Sequence, residues 1–237
     1  MSTQHTVIIG GSSGIGLAAA DRLRDLGLDV TVAGRDSAKL EAAAEAVAGV
    51  NTLVLDASDP VALRDAFAGI GAVDHLVLTL GGNRGAGALG SLTLDDFRAP
   101  FEDKIFPQTA CIQAALPVLR AQGSITLVSA VSAQAALPGT AGLASANAAV
   151  EALVPVLAVE LKPMRVNGVS PGVIDTGWWD WLPAEQKAAA FADFAGKTPV
   201  GRIGTADDVA AAIAFVVQNS FVTGHVLVCD GGLRLAA

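Results

Sequence analysis

Short runs of Val, Ile and Leu alternate with helical patterns along the whole chain. Seven runs recur: "TVIIGG", "DVTVAGR", "NTLVLDA", "DHLVLTLGG", "SITLVSA", "RVNGVSPG" and "HVLVCDGG". Continuous aliphatic runs of this length are typical of strands that are covered on both faces. Between them lie amphipathic or alanine-rich stretches such as "GLAAADRLRDLG", "SAKLEAAAEAVAG", "DPVALRDAFAGIG" and "TADDVAAAIAFVVQ". Repetition of strand, helix and strand predicts an α/β fold, with a parallel sheet and right-handed crossovers.

No charged linker or change of composition divides the 237 residues, of which 52% are apolar, so we expect one α/β domain over residues 1–237. Two longer helices should flank the middle strands, at residues 93 to about 121 and 143–161. Each contains a proline. Pro107 has no N–H and crowds the carbonyl of Asp103, so it should kink its helix beside Lys104. Pro155 should act in the same way, unless either helix simply breaks there.

The net charge of −8 argues against a nucleic-acid partner or an anionic membrane surface, because binding to phosphate depends on clustered Lys and Arg. Small molecules, or copies of the chain itself, are the expected partners. Cys111 and Cys229 match no metal-ligand spacing and are expected to be free thiols in a reducing compartment. The three histidines each lie alone beside a predicted strand, which indicates structural roles. With no secretory signal and no uninterrupted apolar run of spanning length, we expect a cytoplasmic protein.

The segment "IIGGSSGIG" ends the first predicted strand and opens the first helix. Its glycines Gly11, Gly14 and Gly16 have the spacing G-x-x-G-x-G. Such glycines let the backbone approach a pyrophosphate, and the helix N-terminus adds free N–H groups and a positive dipole end. The segment therefore predicts a dinucleotide site formed by Gly11, Ser12, Ser13, Gly14, Ile15 and Gly16.

The end of the second strand, "VAGRD", indicates which dinucleotide binds. Gly34 stands where a carboxylate would bind the ribose 2′-hydroxyl, and Arg35 follows at once. A guanidinium can bind a 2′-phosphate through paired hydrogen bonds, so the sequence favours NADP(H) over NAD(H). The alternative is that Arg35 only solvates a loop. Asp56, followed by Ala57 at the end of the third strand, is then placed to accept a hydrogen bond from the adenine amine.

With these motifs the chain resembles the short-chain dehydrogenase/reductase family from about Thr6 to Gly232. The resemblance is carried by "GGSSGIG", "LDAS", "RVNGVSPGVIDT", "PVGRIGTADDVA" and "FVTGHVLVCDGG". It implies a seven-stranded, doubly wound sheet and a homodimer or homotetramer. It also implies a nicotinamide pocket lined by residues Pro171, Gly172, Ile174 and Thr176, with Gly81 as the glycine that remains of the family's run after strand four.

The catalytic residues of the family are not found at their usual positions. Family members that reduce carbonyls use a Tyr as acid, a Lys four residues later, an upstream Ser, and an Asn on the preceding long helix. By alignment with these motifs, the Tyr position falls on Leu143, the Lys position on Asn147 and the Ser position on Ala130, which Ser129 and Ser132 surround. The chain contains no tyrosine at all. No rearranged tyrosine can therefore supply the proton.

The position of the family Asn is occupied by Lys104, so Lys and Asn are exchanged between two adjacent helices. We expect Lys104 and Asn147 to rebuild a cationic, hydrogen-bonded corner. Partial burial, and a nicotinamide that becomes positive on oxidation, would lower the pKa of Lys104. Lys104 is then the candidate that protonates or polarises the substrate, and Ser132 the candidate that orients it. The alternative is a lysine that is solvated, or that forms a salt bridge with Glu102 or Asp103 beside it.

All three tryptophans, Trp178, Trp179 and Trp181, lie in "DTGWWDWLPAEQ". This segment opens the stretch at about 175–200 that covers the substrate in proteins of the family. The indoles could form an apolar wall that accepts a flat or hydrophobic ligand and excludes water. Alternatively, they pack the lid onto the body of the protein or onto a neighbouring subunit.

Three functions remain open at this point. The first is an NADP(H)-dependent oxidoreductase with an atypical active site, acting on a small, hydrophobic carbonyl or a related acceptor. Hydride transfer is the chemistry of the cofactor and mainly requires correct positioning. The second is a nucleotide-binding sensor, scaffold or partner subunit without turnover. The third is a non-redox enzyme on the same fold, since fold does not fix function.

Overall fold

Strands and helices alternate through almost all of the residues that a computed structural model describes, 3–236. The strands are β1 (His5–Ile9), β2 (Asp29–Gly34), β3 (Asn51–Val54), β4 (Val73–Leu78), β5 (Leu119–Val128), β6 (Arg165–Pro171), β7 (Ile174–Asp175), β8 (Gly204–Thr205) and β9 (Val226–Cys229). The helices are α1 (Gly14–Asp25), α2 (Ser37–Ala46), α3 (Pro60–Ile70), α4 (Leu94–Pro100), α5 (Phe106–Ala115), α6 (Ala141–Glu160), α7 (Ala184–Lys197), α8 (Ala206–Gln218) and α9 (Leu233–Ala236).

Seven strands form one parallel sheet in the order β3-β2-β1-β4-β5-β6-β9, which confirms the predicted doubly wound α/β fold. The chain builds outward from β1 to β3 and then returns to β4 on the other side of β1. The crossovers next to β1 therefore leave on opposite faces of the sheet. A crevice opens at the carboxyl ends of the strands, where this fold binds its ligands.

Helices cover both faces of the sheet, which is why the strands are continuous aliphatic runs. On one face, α1 and α8 pack side chains such as Leu23 and Ile213 against the sheet. On the other face, α3, α5 and α6 contribute residues that include Phe67 and Val150. Phe67 is fully buried. Cys111 is also buried in this second layer, and it and Cys229 are free thiols.

The first of the two long predicted helices differs from the prediction. It begins at Leu94 but is interrupted by a wide turn at Phe101–Ile105 and ends at Ala115, not near residue 121. In the wide turn the N–H of Phe106 donates to the carbonyl of Phe101, five residues back. Pro107 has no N–H to donate to the carbonyl of Asp103, so the regular hydrogen-bond pattern cannot pass this point. The irregularity lies beside Lys104, where the proline predicted it.

The second long helix, α6, continues unbroken through Pro155. By length and composition, with a mean hydropathy of 1.6, it is the one helix in residues 3–236 that could cross a membrane. This qualifies the expectation from sequence that no such segment exists. It is weak evidence for a membrane span, because core helices of soluble proteins have the same composition. Residues Ala146, Val150 and Val154 of α6 are buried.

A row of polar residues, of which all but the half-buried Arg165 are buried, crosses the sheet toward the amino ends of the strands. Thr6, His75, Ser124 and Arg165 are successive partners on β1, β4, β5 and β6. The His75 ring nitrogen Nδ1 lies 2.8 Å from Ser124 Oγ. Burial, with a smaller contribution from Arg165, lowers the pKa of His75 to about 4. His75 is therefore neutral in the folded protein at neutral pH.

We expect the buried His75 to make the fold sensitive to mild acid. A histidine titrates near pH 6.5 in an unfolded chain, so the unfolded state gains a proton below that pH and the folded state does not. The stability should fall as the pH drops from about 6.5 toward 4, and this residue alone should account for about 2 kcal/mol between pH 7 and pH 5. Urea unfolding at the two pH values measures this difference.

His75→Gln should keep a hydrogen bond to Ser124 and reduce the loss between pH 7 and pH 5 by that amount. His225→Gln is the matched control, because it removes an exposed histidine next to the sheet. An equal loss in wild type and His75→Gln would contradict the assignment.

Candidate functional site

Two adjoining cavities occupy the crevice at the carboxyl ends of the strands. The first has a volume of about 710 Å³ and reaches from the start of α1 to the loops after β2 and β3. The second has a volume of about 270 Å³ and lies between β5, β6, α6 and the segment that follows β7. Both are lined by residues 79–82, which follow β4. They therefore form one continuous cleft.

The turn after β1 leaves no space for a side chain at Gly11 or Gly16. A Cβ on Gly16 would lie 2.3 Å from the carbonyl oxygen of Gly10, and one on Gly11 would lie 2.7 Å from the Val32 side chain. Gly10, which the sequence motif did not single out, has a φ of +86°. The N–H groups of Gly10 and Gly11 donate to the carbonyl of Ala33 on β2. The glycines thus bring α1 close against the sheet.

The start of α1 is open toward the first cavity. Its N-cap residue Ser13 is extended, and no side chain within residues 3–236 caps the helix. Helices α2, α3, α4 and α8, in contrast, all have a capping Asp or Thr. Ser12 and Ser13 line the first cavity, and Ile15 lines the second. The free N–H groups and the positive end of α1 are thus available to an anionic ligand.

The far end of the first cavity carries both cations and carboxylates. Arg35 and Lys39 line it together with Asp56 and Ala57. Asp56 accepts hydrogen bonds from the N–H and the hydroxyl of Ser58, which are the main cause of its lowered pKa, and Arg35 lowers it further. Asp56 lies two residues beyond the end of β3. Asp36 also lines this end, which therefore presents both carboxylates and cations to a ligand.

In the second cavity, three predicted residues form a chain of hydrogen bonds. Lys104 Nζ donates to Asn147 Oδ1 at 2.7 Å and to the carbonyl of Ser129 at 3.1 Å. Asn147 Nδ2 then donates to Ser132 Oγ at 3.0 Å. An ammonium can only donate, so the atom of Asn147 that faces it must be the oxygen. Since Ser132 Oγ accepts from Asn147, its own hydrogen is available to a ligand.

Lys104 forms no ion pair with Glu102 or Asp103, the two carboxylates that precede it. Asp103 instead binds Arg84, with Arg84 Nε donating to Asp103 Oδ2 at 2.8 Å. Burial lowers the pKa of Lys104 to about 8, and the charge of Glu151 opposes this shift. Among the described residues, Lys104 is the only charged one that lines the second cavity.

Ser129 and Ser132 both line the second cavity, but their hydroxyls have different partners. The hydroxyl of Ser129 donates to Glu151 Oε1 at 2.8 Å, whereas that of Ser132 accepts from Asn147. The positions that align with the family Ser and Tyr, Ala130 and Leu143, both line the second cavity. Neither side chain can exchange a proton.

The remaining predicted nicotinamide residues also line the second cavity: Gly81, Pro171, Gly172, Ile174 and Thr176. A Cβ on Gly81 would lie 3.1 Å from Lys104 Cε. A Cβ on Gly14 would lie 3.5 Å from the side chain of Thr176. Thr176 thus brings the segment after β7 to the start of α1.

The tryptophan segment contacts the body of the protein through two indoles. Trp178 Nε1 donates to the carbonyl of Gly82 at 3.1 Å, across the cleft, and Trp179 Nε1 donates to that of Ile174 at 3.0 Å. Both rings line the second cavity. Trp181 is 51% exposed and contacts only the edge of Trp178 among the aromatic rings described. It was expected to share the wall, but it lies outside both cavities.

Three residues that bear on the site were not predicted, because their sequence signals are weak. Lys39 and Arg84 line the first cavity, and Glu151 accepts the hydrogen bond from Ser129. A single charge on a helix or loop is usually solvated, so only the fold identifies these three. The spacing of Glu151 from Asn147, one helical turn, was the one available hint.

Comparison with known proteins agrees with this architecture. The family model described as Enoyl-(Acyl carrier protein) reductase matches residues 10–234. Carbonyl reductase family member 4 of Danio rerio is 30% identical, over 97% of each chain. Cis-4-hydroxycyclohexanecarboxylate dehydrogenase of Sinomonas cyclohexanicum is 33% identical, over 95% of this chain and 94% of its own.

Solved structures of short-chain and small-chain dehydrogenases are also similar to this chain. A small-chain dehydrogenase in complex with NADPH superposes with a TM-score of 0.87 and 32% identity, over 99% of this chain and 100% of its own. A short-chain dehydrogenase/reductase family oxidoreductase from Burkholderia thailandensis has a TM-score of 0.90 and 30% identity, over 100% of this chain and 94% of its own. The chain belongs to the short-chain dehydrogenase/reductase family of oxidoreductases.

Proposed function

We propose that the protein is an NADP(H)-dependent oxidoreductase that transfers hydride to or from a small, hydrophobic carbonyl or a related acceptor. The observation that carries the proposal is the series of hydrogen bonds from Lys104 through Asn147 to Ser132 in the second cavity, which shares residues 79–82 with the first cavity.

The residues of the first cavity fit a dinucleotide phosphate. The uncapped start of α1 offers N–H groups to a pyrophosphate, and the glycine turn admits it closely. Arg35 and Lys39 offer positive charge next to Gly34, where a carboxylate would repel a 2′-phosphate. A related structure of 32% identity was solved with NADPH, which supports the same choice here. Bound NADPH would supply the hydride.

A reacting oxygen placed next to Lys104 and Ser132 in the second cavity would meet two hydrogen-bond donors, the Lys104 ammonium and the Ser132 hydroxyl. Donation by Asn147 to Ser132 Oγ makes the hydroxyl of Ser132 a better donor, because hydrogen bonds in a chain polarise one another. These donors are fixed before a substrate arrives, so they can stabilise the negative charge that develops on a carbonyl oxygen.

Lys104 is the proposed acid. When a carbonyl carbon gains hydride, its oxygen becomes an alkoxide, and transfer of a proton from Lys104 Nζ gives the alcohol. The neutral amine then regains a proton from water. A pKa of about 8 leaves most of the group protonated at pH 7 and still able to release its proton. Lys104 would thus replace the tyrosine that the chain lacks.

The walls of the second cavity favour a small apolar substrate. Its aliphatic and aromatic lining residues include Val131, Leu137, Leu143, Val173, Trp178, Trp179 and Phe194. At about 270 Å³, the cavity is slightly smaller than the usual range for ligand sites, which begins at about 300 Å³. Residues 175–200 would act as its lid, with Trp178 and Trp179 excluding water from the reacting atoms.

A second candidate is a nucleotide-binding sensor, scaffold or partner subunit. It is favoured by Ala130 and Leu143, which line the cavity without a titratable group, together with the absence of tyrosine. Either function is compatible with a cytoplasmic homodimer or homotetramer. Val156 and Val159 of α6, which are 58% and 72% exposed, provide an apolar surface for such an assembly.

The first experiment separates these two candidates. Fluorescence titration should show saturable binding of NADPH, and the absorbance of bound NADPH should decrease with at least one acceptor from a panel of apolar ketones, quinones, imines and enones. Tight binding without consumption of NADPH by any acceptor would instead support the sensor or scaffold. Absence of binding by calorimetry would contradict both.

Arg35→Ala should test the choice of cofactor. Loss of charge-assisted hydrogen bonds to a 2′-phosphate should weaken NADPH binding about 10- to 100-fold, which corresponds to about 1.5–3 kcal/mol. NADH lacks that phosphate and should bind almost unchanged. Arg64→Ala, which removes an exposed arginine of α3 outside both cavities, is the control. Equal losses for the two coenzymes would exclude the 2′-phosphate role.

Lys104→Met should lower kcat for carbonyl reduction at least about 100-fold, because it removes the proposed acid and its polarising charge. The Kd for NADPH should change little. In the wild type, reduction should become slower as the pH rises through about 8, where Lys104 loses its proton. Lys162→Met, which removes an exposed lysine, should leave the rate and its pH profile unchanged. Unaltered kinetics in Lys104→Met would refute the assignment.

A further inference from the structure

Glu151 lies one helical turn beyond Asn147 on α6 and is held by three hydrogen bonds. Its Oε1 accepts from Ser129 Oγ and from Ser170 Oγ, each at 2.8 Å. Its Oε2 accepts from Gln134 Nε2, also at 2.8 Å. The donors come from the end of β5, the end of β6 and the loop after β5. Glu151 is half-buried, and three donors from different segments hold its carboxylate in one defined position.

Ser129 links Glu151 to Lys104. Its hydroxyl donates to Glu151, while its backbone carbonyl accepts from Lys104 Nζ at 3.1 Å. The carboxylate and the ammonium therefore bind the same residue, one at its hydroxyl and the other at its carbonyl. In the partly buried surroundings of the second cavity, such a pair interacts more strongly than it would in water.

Gln134 links Glu151 to Ser132. The backbone N–H of Gln134 donates to the carbonyl of Val131, which closes the short turn Val131–Ala133 that carries Ser132. The side-chain amide of Gln134 donates to Glu151, which holds this side chain in place. The carboxylate thus holds the turn from which the Ser132 hydroxyl reaches Asn147.

The other carboxylates near Lys104 face elsewhere. Glu102 and Asp103 precede it on the wide turn and line the first cavity, where Asp103 pairs with Arg84. Ser129 is the contact of Lys104 on β5 and carries no charge. From α6, the charged group that acts on Lys104 is Glu151.

We propose that Glu151 is a positioning residue of the active site, which provides the counter-charge of Lys104 and fixes the turn that carries Ser132. It acts on the reacting oxygen through these two side chains and does not touch the substrate. Its effect on turnover rests on the proposed oxidoreductase function. Its electrostatic coupling to Lys104 is a property of the chain alone and can be measured without turnover.

The decisive experiment measures the titration of Lys104 in the absence of substrate. Lysines are labelled by reductive ¹³C-methylation, the Lys104 signal is identified by its loss in Lys104→Met, and its chemical shift is followed from pH 6 to 11. In Glu151→Gln the pKa of Lys104 should fall by about one unit, because an opposite charge that favoured the ammonium is gone. Glu160→Gln removes an exposed carboxylate from the end of the same helix and should cause no shift.

Ser129→Ala is the second variant, because it removes the hydroxyl that holds the carboxylate near Lys104. It should shift the titration in the same direction by a smaller amount. If Glu151→Gln titrates as the wild type does, or does not fold while Ser129→Ala shows no shift, the proposal is wrong.

Kinetics separate this proposal from the proposed function. If turnover is found, the fall in the rate of reduction at high pH should begin about one unit lower in Glu151→Gln, with an unchanged Kd for NADPH. A residue that only stabilises the fold would lower the rate at every pH without moving the profile, and that result would overturn the proposal. If no acceptor is turned over, the proposed function fails, while the titration of Lys104 still decides the role of Glu151.

Discussion

The site depends on one constraint: parallel strands all end at the same edge of the sheet. The loops after β4, β5 and β6 therefore converge, and residues that are distant in sequence come within hydrogen-bond distance. Lys104 and Asn147 are 43 positions apart in the sequence, but Lys104 Nζ lies 2.7 Å from Asn147 Oδ1. Ser129 and Ser170, at the ends of neighbouring strands, both donate to Glu151. No local sequence property could bring these groups together.

The wide turn at Phe101–Ile105 belongs to the same arrangement. Because Pro107 cannot donate a hydrogen bond, the helix changes its hydrogen-bond pattern where Lys104 reaches the crevice. Gln108, four residues later, donates to the carbonyls of Leu80 and Val128, at the ends of β4 and β5. Lys104 and Gln108 thus both bind the edge of the sheet. An irregular helix segment at this position is consistent with a functional role for Lys104.

Particular residues show how far the sequence could predict the structure. The aliphatic runs predicted all seven strands of the main sheet, because burial on both faces requires such runs. The predicted end of the first long helix was wrong. Leu119 is apolar and continues the helical pattern, but in the structure Leu119 pairs with Val73 in the sheet. That pairing is a tertiary contact, which local propensity does not report. Lys39, Arg84 and Glu151 were missed for the same reason, as only the fold gives isolated charges their neighbours.

The directions of the hydrogen bonds limit what the proposed site can accept. Lys104 can only donate, so Asn147 must accept from it with Oδ1 and donate with Nδ2, and Ser132 must then direct its own hydrogen elsewhere. A ligand atom placed against Lys104 and Ser132 therefore has to be an acceptor, and it is stabilised more strongly as it becomes negative. A carbonyl oxygen meets this requirement until it takes the proton from Lys104. A group that presents an N–H hydrogen there in place of a lone pair would leave buried donors unpaired, at a cost of about 1–3 kcal/mol for each.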